Sequence, residues 1–310
     1  MREEAVCLGE NGSLVGVVTL PPAKPKSDIA FVLLNAGLIH RVGPKRLYVR
    51  LARALASLGF IVLRFDLSGL GDSDYRRDDL PEEESVRRDV RQAMDFLNQE
   101  KDVKGFVLMG ICAGSVISFI LASEDPRVVG AGLIDPADFG ASVLLGISAS
   151  KETEASHYFR TVSSTPLTMK RILRFSSGRS NYSRAFASLW TRFRRLVRGD
   201  RSVTAAGEFV STRIRSLTQR GTRLLLMYTE RGDSLDFVRL VLGHERNIPG
   251  LGGLLSLRVI IGADHDFTLP SAQEELLAIV KEWSSHFFQT PETLAIGERG
   301  TTAILSSEKD

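Results

Sequence analysis

Residues 106–117 read FVLMGICAGSVI and decide the fold, because they place Gly-x-Cys-x-Gly between a strand-like and a helix-like apolar run. A sharp turn from a strand to a helix holds its central residue in a strained conformation, and glycines two positions to either side leave room for it. The side chain of Cys112 is then presented beside the N-terminus of the following helix, whose amides and dipole favour a negative charge. A thiolate is the reactive form of cysteine, so this setting predicts a nucleophile.

The rest of the chain alternates short β-branched runs with amphipathic helical ones, which is typical of a mostly parallel sheet covered by helices on both faces. We expect an α/β fold with about eight strands. The predicted strands include residues 14–20, 29–34, 60–65, 105–109, 128–134, 222–228 and 256–261. The predicted helices include residues 44–58, a helix from 81, 113–123, about 234–242 and 271–288.

The alternation stops between residues 136 and 220, which we interpret as a helical cap inserted into a core of residues 1–135 and 221–290. Residues 151–220 hold 15 Lys and Arg against 4 Asp and Glu. If these arginines face the cleft, they favour an anionic substrate or one bound to an acidic carrier protein. The cap arginines considered for this role are Arg171, Arg174, Arg192, Arg194, Arg195 and Arg198. Residues 291–310 have no periodicity and are expected to form a mobile tail.

Composition limits the function classes further. The 310 residues carry a net charge of +3, which is too small to indicate nucleic-acid binding. No apolar stretch is long enough to span a bilayer and no signal peptide is evident, so a cytoplasmic location is expected. The two cysteines, Cys7 and Cys112, do not form a disulfide framework or a zinc-site pattern. The glycines of residues 66–73 lack the remainder of a dinucleotide fingerprint, and no metal or organic cofactor is implied.

The chain resembles the α/β-hydrolase family, with Cys112 in place of the usual serine. The match rests on the strand-to-helix turn at residues 110–114, which we call the elbow, on residues 66–73 (DLSGLGDS), and on residues 262–267 (GADHDF) after a late strand. Together with residues 34–41 (LNAGLIHR), the cysteine elbow looks most like the bacterial hydrolases associated with exosortase and exopolysaccharide loci. The resemblance implies the chain order nucleophile, acid, histidine.

That order nominates Cys112 as nucleophile, His265 as general base and Asp233 as the acid that orients the imidazole, with Asp236 as the competing acid. These loops converge because the carboxyl ends of neighbouring parallel strands meet at one edge.

Two further positions follow from the resemblance. The backbone amides of Ala113 and of Gly37 or Leu38 are expected to receive the developing oxyanion, although residues 35–36 depart from the family's His-Gly pattern. His40 and Arg41 lie just beyond this loop and are candidates for substrate contact, and for His40 the alternative is a structural hydrogen bond.

The sequence thus predicts a hydrolase that cleaves a small-molecule ester or thioester through an S-acyl-cysteine intermediate. An acyltransferase that passes the acyl group to an amine, alcohol or thiol is the first alternative. A non-catalytic binding module on the same fold is the second. The acyl group, the acceptor and the oligomeric state stay open.

Overall fold

The computed structural model describes residues 1–75, 79–136, 201–230 and 253–288, with side chains from residue 207 onwards in the third range. Eight strands are present: β1 (Arg2–Leu8), β2 (Leu14–Leu20), β3 (Ile29–Leu34), β4 (Ile61–Phe65), β5 (Gly105–Ile111), β6 (Val128–Ile134), β7 (Arg223–Thr229) and β8 (Leu255–Ile260). The described α-helices are α1 (Leu47–Leu58), α2 (Glu82–Lys101), α3 (Ala113–Glu124), α4 (Arg201–Gln219) and α5 (Pro270–Ser285). Short 3-10 turns cover Glu10–Gly12, Pro44–Arg46 and His286–Phe288.

The strands form one sheet in the order β1-β2-β4-β3-β5-β6-β7-β8. β1 and β2 pair antiparallel with their neighbours, and the other strands are parallel. Every residue of β5 is buried, as expected for a central parallel strand whose two faces are both covered by helices. This sheet confirms the predicted α/β-hydrolase fold. The sequence analysis missed β1, whose first three residues, Arg2, Glu3 and Glu4, are charged and lie in the edge strand of the sheet.

Helices α1 and α5 cover one face of the sheet. Their apolar residues join the side chains of alternate strand positions in one buried cluster, which includes Phe31, Met109 and Leu225. Phe31 lies edge-on to the ring of Trp283 from α5, with ring centroids 6.5 Å apart. Aromatic pairs of this geometry add to the free energy gained from burial.

A buried tyrosine connects the ends of the two central strands. The Tyr48 hydroxyl on α1 donates a hydrogen bond to the Leu34 carbonyl at the end of β3 (2.8 Å) and accepts one from the Ile111 amide at the end of β5 (3.0 Å). These backbone groups are buried, so each needs a partner inside the protein. Tyr48 supplies both partners, and Ile111 directly precedes Cys112.

By its internal contacts the chain divides into two units, Met1–Phe139 with Arg213–Asp310, and Gly140–Thr212. The sheet belongs to the first unit. Of the second unit, the structure describes residues 201–212, which form the first part of α4. Most of the predicted cap, the predicted helix near residues 234–242 and the predicted tail lie outside the described residues. None of the described helices combines the length and the hydrophobicity that crossing a bilayer requires.

Candidate active site

Cys112 forms a strained turn between β5 and α3. Its backbone has φ 55° and ψ −117°, a conformation that is rare for a residue with a side chain. Neither neighbouring glycine has room for a Cβ. At Gly110 it would lie 2.4 Å from the Gly114 carbonyl carbon, and at Gly114 it would lie 2.6 Å from the carbonyl oxygen of Asn35. The structure therefore gives the steric reason for the Gly-x-Cys-x-Gly pattern.

His265 lies in the loop that follows β8. Phe267 anchors this loop. Its side chain is fully buried, and its backbone carbonyl accepts a hydrogen bond of 2.9 Å from the side-chain amide of Gln273 on α5. The Gly262 amide donates to the Glu230 carboxylate at 2.9 Å. The amide of Thr268 donates to Asp264 at 2.8 Å, so Asp264 shapes the loop. The imidazole is held in place while half of its surface stays exposed.

Among the described residues, the carboxylate that contacts His265 is Asp135, and the sequence analysis missed it. Asp135 is the first residue after β6 and is almost fully buried. Its Oδ2 lies 3.1 Å from His265 Nδ1. Thr229, at the end of β7, donates its backbone N–H to Oδ1 (2.9 Å) and its hydroxyl to Oδ2 (2.5 Å). The nominated acids Asp233 and Asp236 lie outside the described residues.

The Asp135 backbone is itself unusual, with φ 46° in the left-handed region. Its amide donates to the Met227 carbonyl at 2.8 Å, which continues the pairing of β6 with β7 by one residue. This geometry holds the carboxylate at the edge of the sheet where the loop after β8 passes. The available sequence signal was an acid directly after a buried strand, in the run Ile134-Asp135-Pro136.

The pKa values of Cys112 and His265 are shifted in opposite directions. A hydrogen bond with the His265 ring lowers the pKa of the half-buried Cys112 thiol against the opposing effect of burial, and the Ala113 backbone N–H lowers it further. The Asp135 carboxylate, followed by Cys112, raises the pKa of His265 to about 10. Both shifts favour a thiolate beside an imidazolium at neutral pH. Because Nδ1 contacts Asp135, Nε2 is the ring nitrogen that can exchange a proton with Cys112.

The predicted oxyanion loop forms a tight turn after β3. The Ile39 amide donates to the Ala36 carbonyl at 3.1 Å, and Gly37 has φ 56° at the first inner position of the turn. A positive φ there favours glycine. Leu38 is 89% exposed, so its side chain takes no part in the core. Donation by Gly37 or Leu38 to an oxyanion stays a prediction.

The structure gives different surroundings to the two predicted substrate contacts. His40 is exposed. The Arg41 guanidinium forms ion pairs with Asp66 and with Asp72, the second at 2.5 Å. Arg41 thus makes structural interactions that the sequence analysis did not predict, and the contact of His40 and Arg41 with substrate stays a prediction. Within the described residues, no cluster of three His, Cys, Asp or Glu side chains is arranged to hold a metal ion.

The chain was compared with known protein families and with solved structures. Residues 28–200 match the model of the family described as serine aminopeptidase, S33. The search of curated proteins gave no match.

Solved structures with the same fold cover nearly the whole chain. An esterase from Pyrococcus furiosus is 16% identical with a TM-score of 0.57, and the alignment covers 93% of this chain and 91% of the esterase. A proline iminopeptidase from Mycobacterium smegmatis is 16% identical with a TM-score of 0.54, covering 93% of this chain and 99% of that one. A serine hydrolase without a lid from Xanthomonas campestris is 14% identical with a TM-score of 0.53, covering 94% and 98%. At these identities the likeness establishes the fold.

Proposed function

The chain belongs to the serine aminopeptidase S33 family of α/β-hydrolases, and we propose that it hydrolyses an ester or thioester through a cysteine nucleophile. The observation that carries the proposal is the strained turn that presents Cys112, together with His265, which lowers the pKa of the thiol and whose Nδ1 lies 3.1 Å from the buried Asp135 carboxylate. A nucleophile, a proton carrier and an orienting acid in this order are the parts of a catalytic triad. We assign the role of acid to Asp135.

In the first half of the reaction, the Cys112 thiolate attacks the substrate carbonyl and a carbon–sulfur bond forms. The negative charge moves to the carbonyl oxygen, where the Ala113 amide and an amide of the 36–39 turn donate hydrogen bonds to it. When the intermediate collapses, the bond to the leaving alkoxide or thiolate breaks. His265 gives its Nε2 proton to that leaving group.

In the second half, the neutral His265 takes a proton from water, and the resulting hydroxide attacks the S-acyl group. The carboxylic acid leaves, Cys112 is released as a thiolate, and His265 is an imidazolium again. The Asp135 carboxylate stabilises each imidazolium that forms.

The cysteine sets this chain apart from the serine in its family's description. A serine alcohol needs a neutral histidine to take its proton, whereas a thiolate beside an imidazolium is ready to attack. Because an S-acyl enzyme also reacts with amines and thiols, acyl transfer is the second candidate. The hydrogen-bonded set of Cys112, His265 and Asp135 argues against a binding module that has lost activity. The anionic or carrier-bound substrate stays a prediction, because the cap arginines lie outside the described residues. The likeness to hydrolases of exosortase loci also stays a prediction.

Mass spectrometry of the whole protein tests the proposal. Incubation with p-nitrophenyl esters and acyl thioesters of graded length should add the acyl mass to one residue, Cys112. The Cys112→Ala variant should take up none, and Cys7→Ala is the matched control that keeps the adduct. Transfer of the isolated acyl enzyme into buffer with or without an amine separates hydrolysis from acyl transfer. Absence of any adduct, together with iodoacetamide labelling no faster than that of free cysteine, would favour the binding module.

A further inference from the structure

A fully buried carboxylate outside the proposed triad lies directly after β4, at Asp66. Its Oδ1 accepts hydrogen bonds from the Asn35 side-chain amide (3.3 Å) and the Arg41 backbone N–H (2.5 Å). Its Oδ2 accepts from the Arg41 guanidinium and from the Asp72 backbone N–H (3.2 Å). Four donors and one positive charge thus compensate the cost of burying a carboxylate.

These donors lie on both sides of the 36–39 turn. Asn35 precedes the turn, and its side-chain amide also donates to the Ile39 carbonyl at 3.0 Å. The other end of the Asn35 side chain accepts the Leu67 amide at 3.0 Å. Arg41 follows the turn and contacts Asp66 through both its backbone and its side chain. Asp66 therefore joins both ends of the turn to the loop after β4.

The loop after β4 is shaped around this carboxylate. A Cβ at Gly71 would lie 2.1 Å from Asp66 Oδ2, and Gly71 has φ 53°. The backbone passes too close to the carboxylate for any other residue at position 71. This packing leaves Asp66 little freedom to move relative to the turn.

We propose that Asp66 is a positioning residue that fixes the 36–39 turn, so that the Gly37 or Leu38 amide points at the oxyanion formed when Cys112 attacks. The inference rests on the proposed function. An oxyanion donor lowers the barrier only if it is already aligned, and loss of one such donor typically reduces kcat by about 100-fold to 1,000-fold. The Asp66 contacts supply that alignment, although Asp66 itself does not contact the reacting atoms.

Two reactions of the same sulfur test the proposal. Acylation by an ester creates an oxyanion, whereas alkylation by iodoacetamide displaces iodide and creates none. Asp66→Asn keeps the volume of the side chain but replaces one carboxylate oxygen by an NH₂ group, which cannot accept a hydrogen bond. In either orientation of the amide, two of the four donors lose their acceptor. We expect this variant to lose about 100-fold in the rate of ester acylation, in line with one misaligned donor. Its rate of alkylation should stay at the wild-type value.

The matched control is Asp72→Asn, which removes the other carboxylate paired with Arg41. The Asp72 side chain is 66% exposed, and exposed ion pairs contribute little. Both rates should therefore stay near wild type in this variant. Arg41→Lys is a milder second variant for the case that Asp66→Asn does not fold, because lysine keeps the charge but loses the forked contact with two carboxylates. It should lower kcat for the ester and leave KM unchanged.

The outcomes separate the two proposals. A folded Asp66→Asn protein that acylates at the wild-type rate would overturn the positioning role, as would a parallel fall of acylation and alkylation. If only Arg41→Lys folds, a rise in KM with kcat unchanged overturns it and makes Arg41 a substrate contact instead. A wild-type protein that alkylates quickly at Cys112 but forms no acyl enzyme overturns the proposed function itself, and the positioning role with it.

Discussion

Replacement of Asp135 by asparagine tests which carboxylate serves His265. The substitution keeps the shape of the side chain but removes the negative charge that lies 3.1 Å from the imidazole Nδ1. Asp135 is the largest cause of the rise in the pKa of His265 to about 10. We therefore expect that pKa to fall, and the alkaline limit of activity to fall with it, because the imidazolium supplies the proton for the leaving group.

The size of the fall follows from the contact. A hydrogen bond to a charged group contributes about 1.5–3 kcal/mol, and about 1.4 kcal/mol corresponds to one pKa unit. The His265 side chain is 49% exposed, so solvent weakens the interaction. The expected fall in the pKa of His265 is therefore about one unit, and at most about two units.

Two measurements report this change. The imidazole proton resonance of His265, followed by NMR across the pH range, gives the pKa directly, and the alkaline limb of kcat/KM for a p-nitrophenyl ester gives its effect on the reaction. Asp266→Asn is the charge control from the same loop. Because Asp266 is exposed, its removal should change the pKa of His265 much less. Unchanged titration in Asp135→Asn, with a fall in Asp233→Asn or Asp236→Asn, would refute our choice of acid and restore the choice made from the sequence.

Three further predictions concern stability, each measured by urea or thermal unfolding. Tyr48→Phe leaves two buried backbone groups at the strand ends unpaired and should cost about 1–3 kcal/mol. Tyr228→Phe should cost nothing, because the buried Tyr228 hydroxyl has no hydrogen-bond partner among the described residues; equal losses in both variants would contradict this reasoning. Gly114→Ala should cost about 1–3 kcal/mol or prevent folding, since its Cβ would overlap a backbone carbonyl. The raised pKa of His265 stabilises the fold less as pH rises toward about 10, and the lowered pKa of Cys112 stabilises it less as pH falls. Because Asp135 keeps the pKa of His265 raised in Cys112→Ala, the difference in Tm between wild type and this variant should increase as pH rises toward about 8.5, the ordinary pKa of a thiol, and a difference that stays constant or decreases between about pH 6.5 and 8.5 would rule out the ion pair.

Local sequence was sufficient for the fold class because the signals that define it are local. A buried parallel strand such as β5 is a continuous apolar run, and a helix such as α1 is marked by its apolar stripe and by Gly59 at its C-terminal end. The Gly-x-Cys-x-Gly turn was equally readable because the pattern itself is local, although the contacts that exclude a Cβ at Gly114 are with the distant backbone of Leu34 and Asn35. The edge strand β1 had a weaker signal, because its first three residues are charged and the strand is recognisable mainly by its pairing with β2.

What the sequence determined about the site is the pair of residues on short, recognisable loops, Cys112 and His265. The contact between His265 and Asp135 was decided by tertiary structure, since it joins residues 130 positions apart through the order in which β6, β7 and β8 lie side by side. The same holds for Asp66, whose hydrogen bonds to Asn35 and Arg41 depend on β3 and β4 being neighbours. A carboxylate after a strand is a common feature of sequences. Only the packing of the strand ends determines which imidazole or guanidinium lies within hydrogen-bonding distance of it.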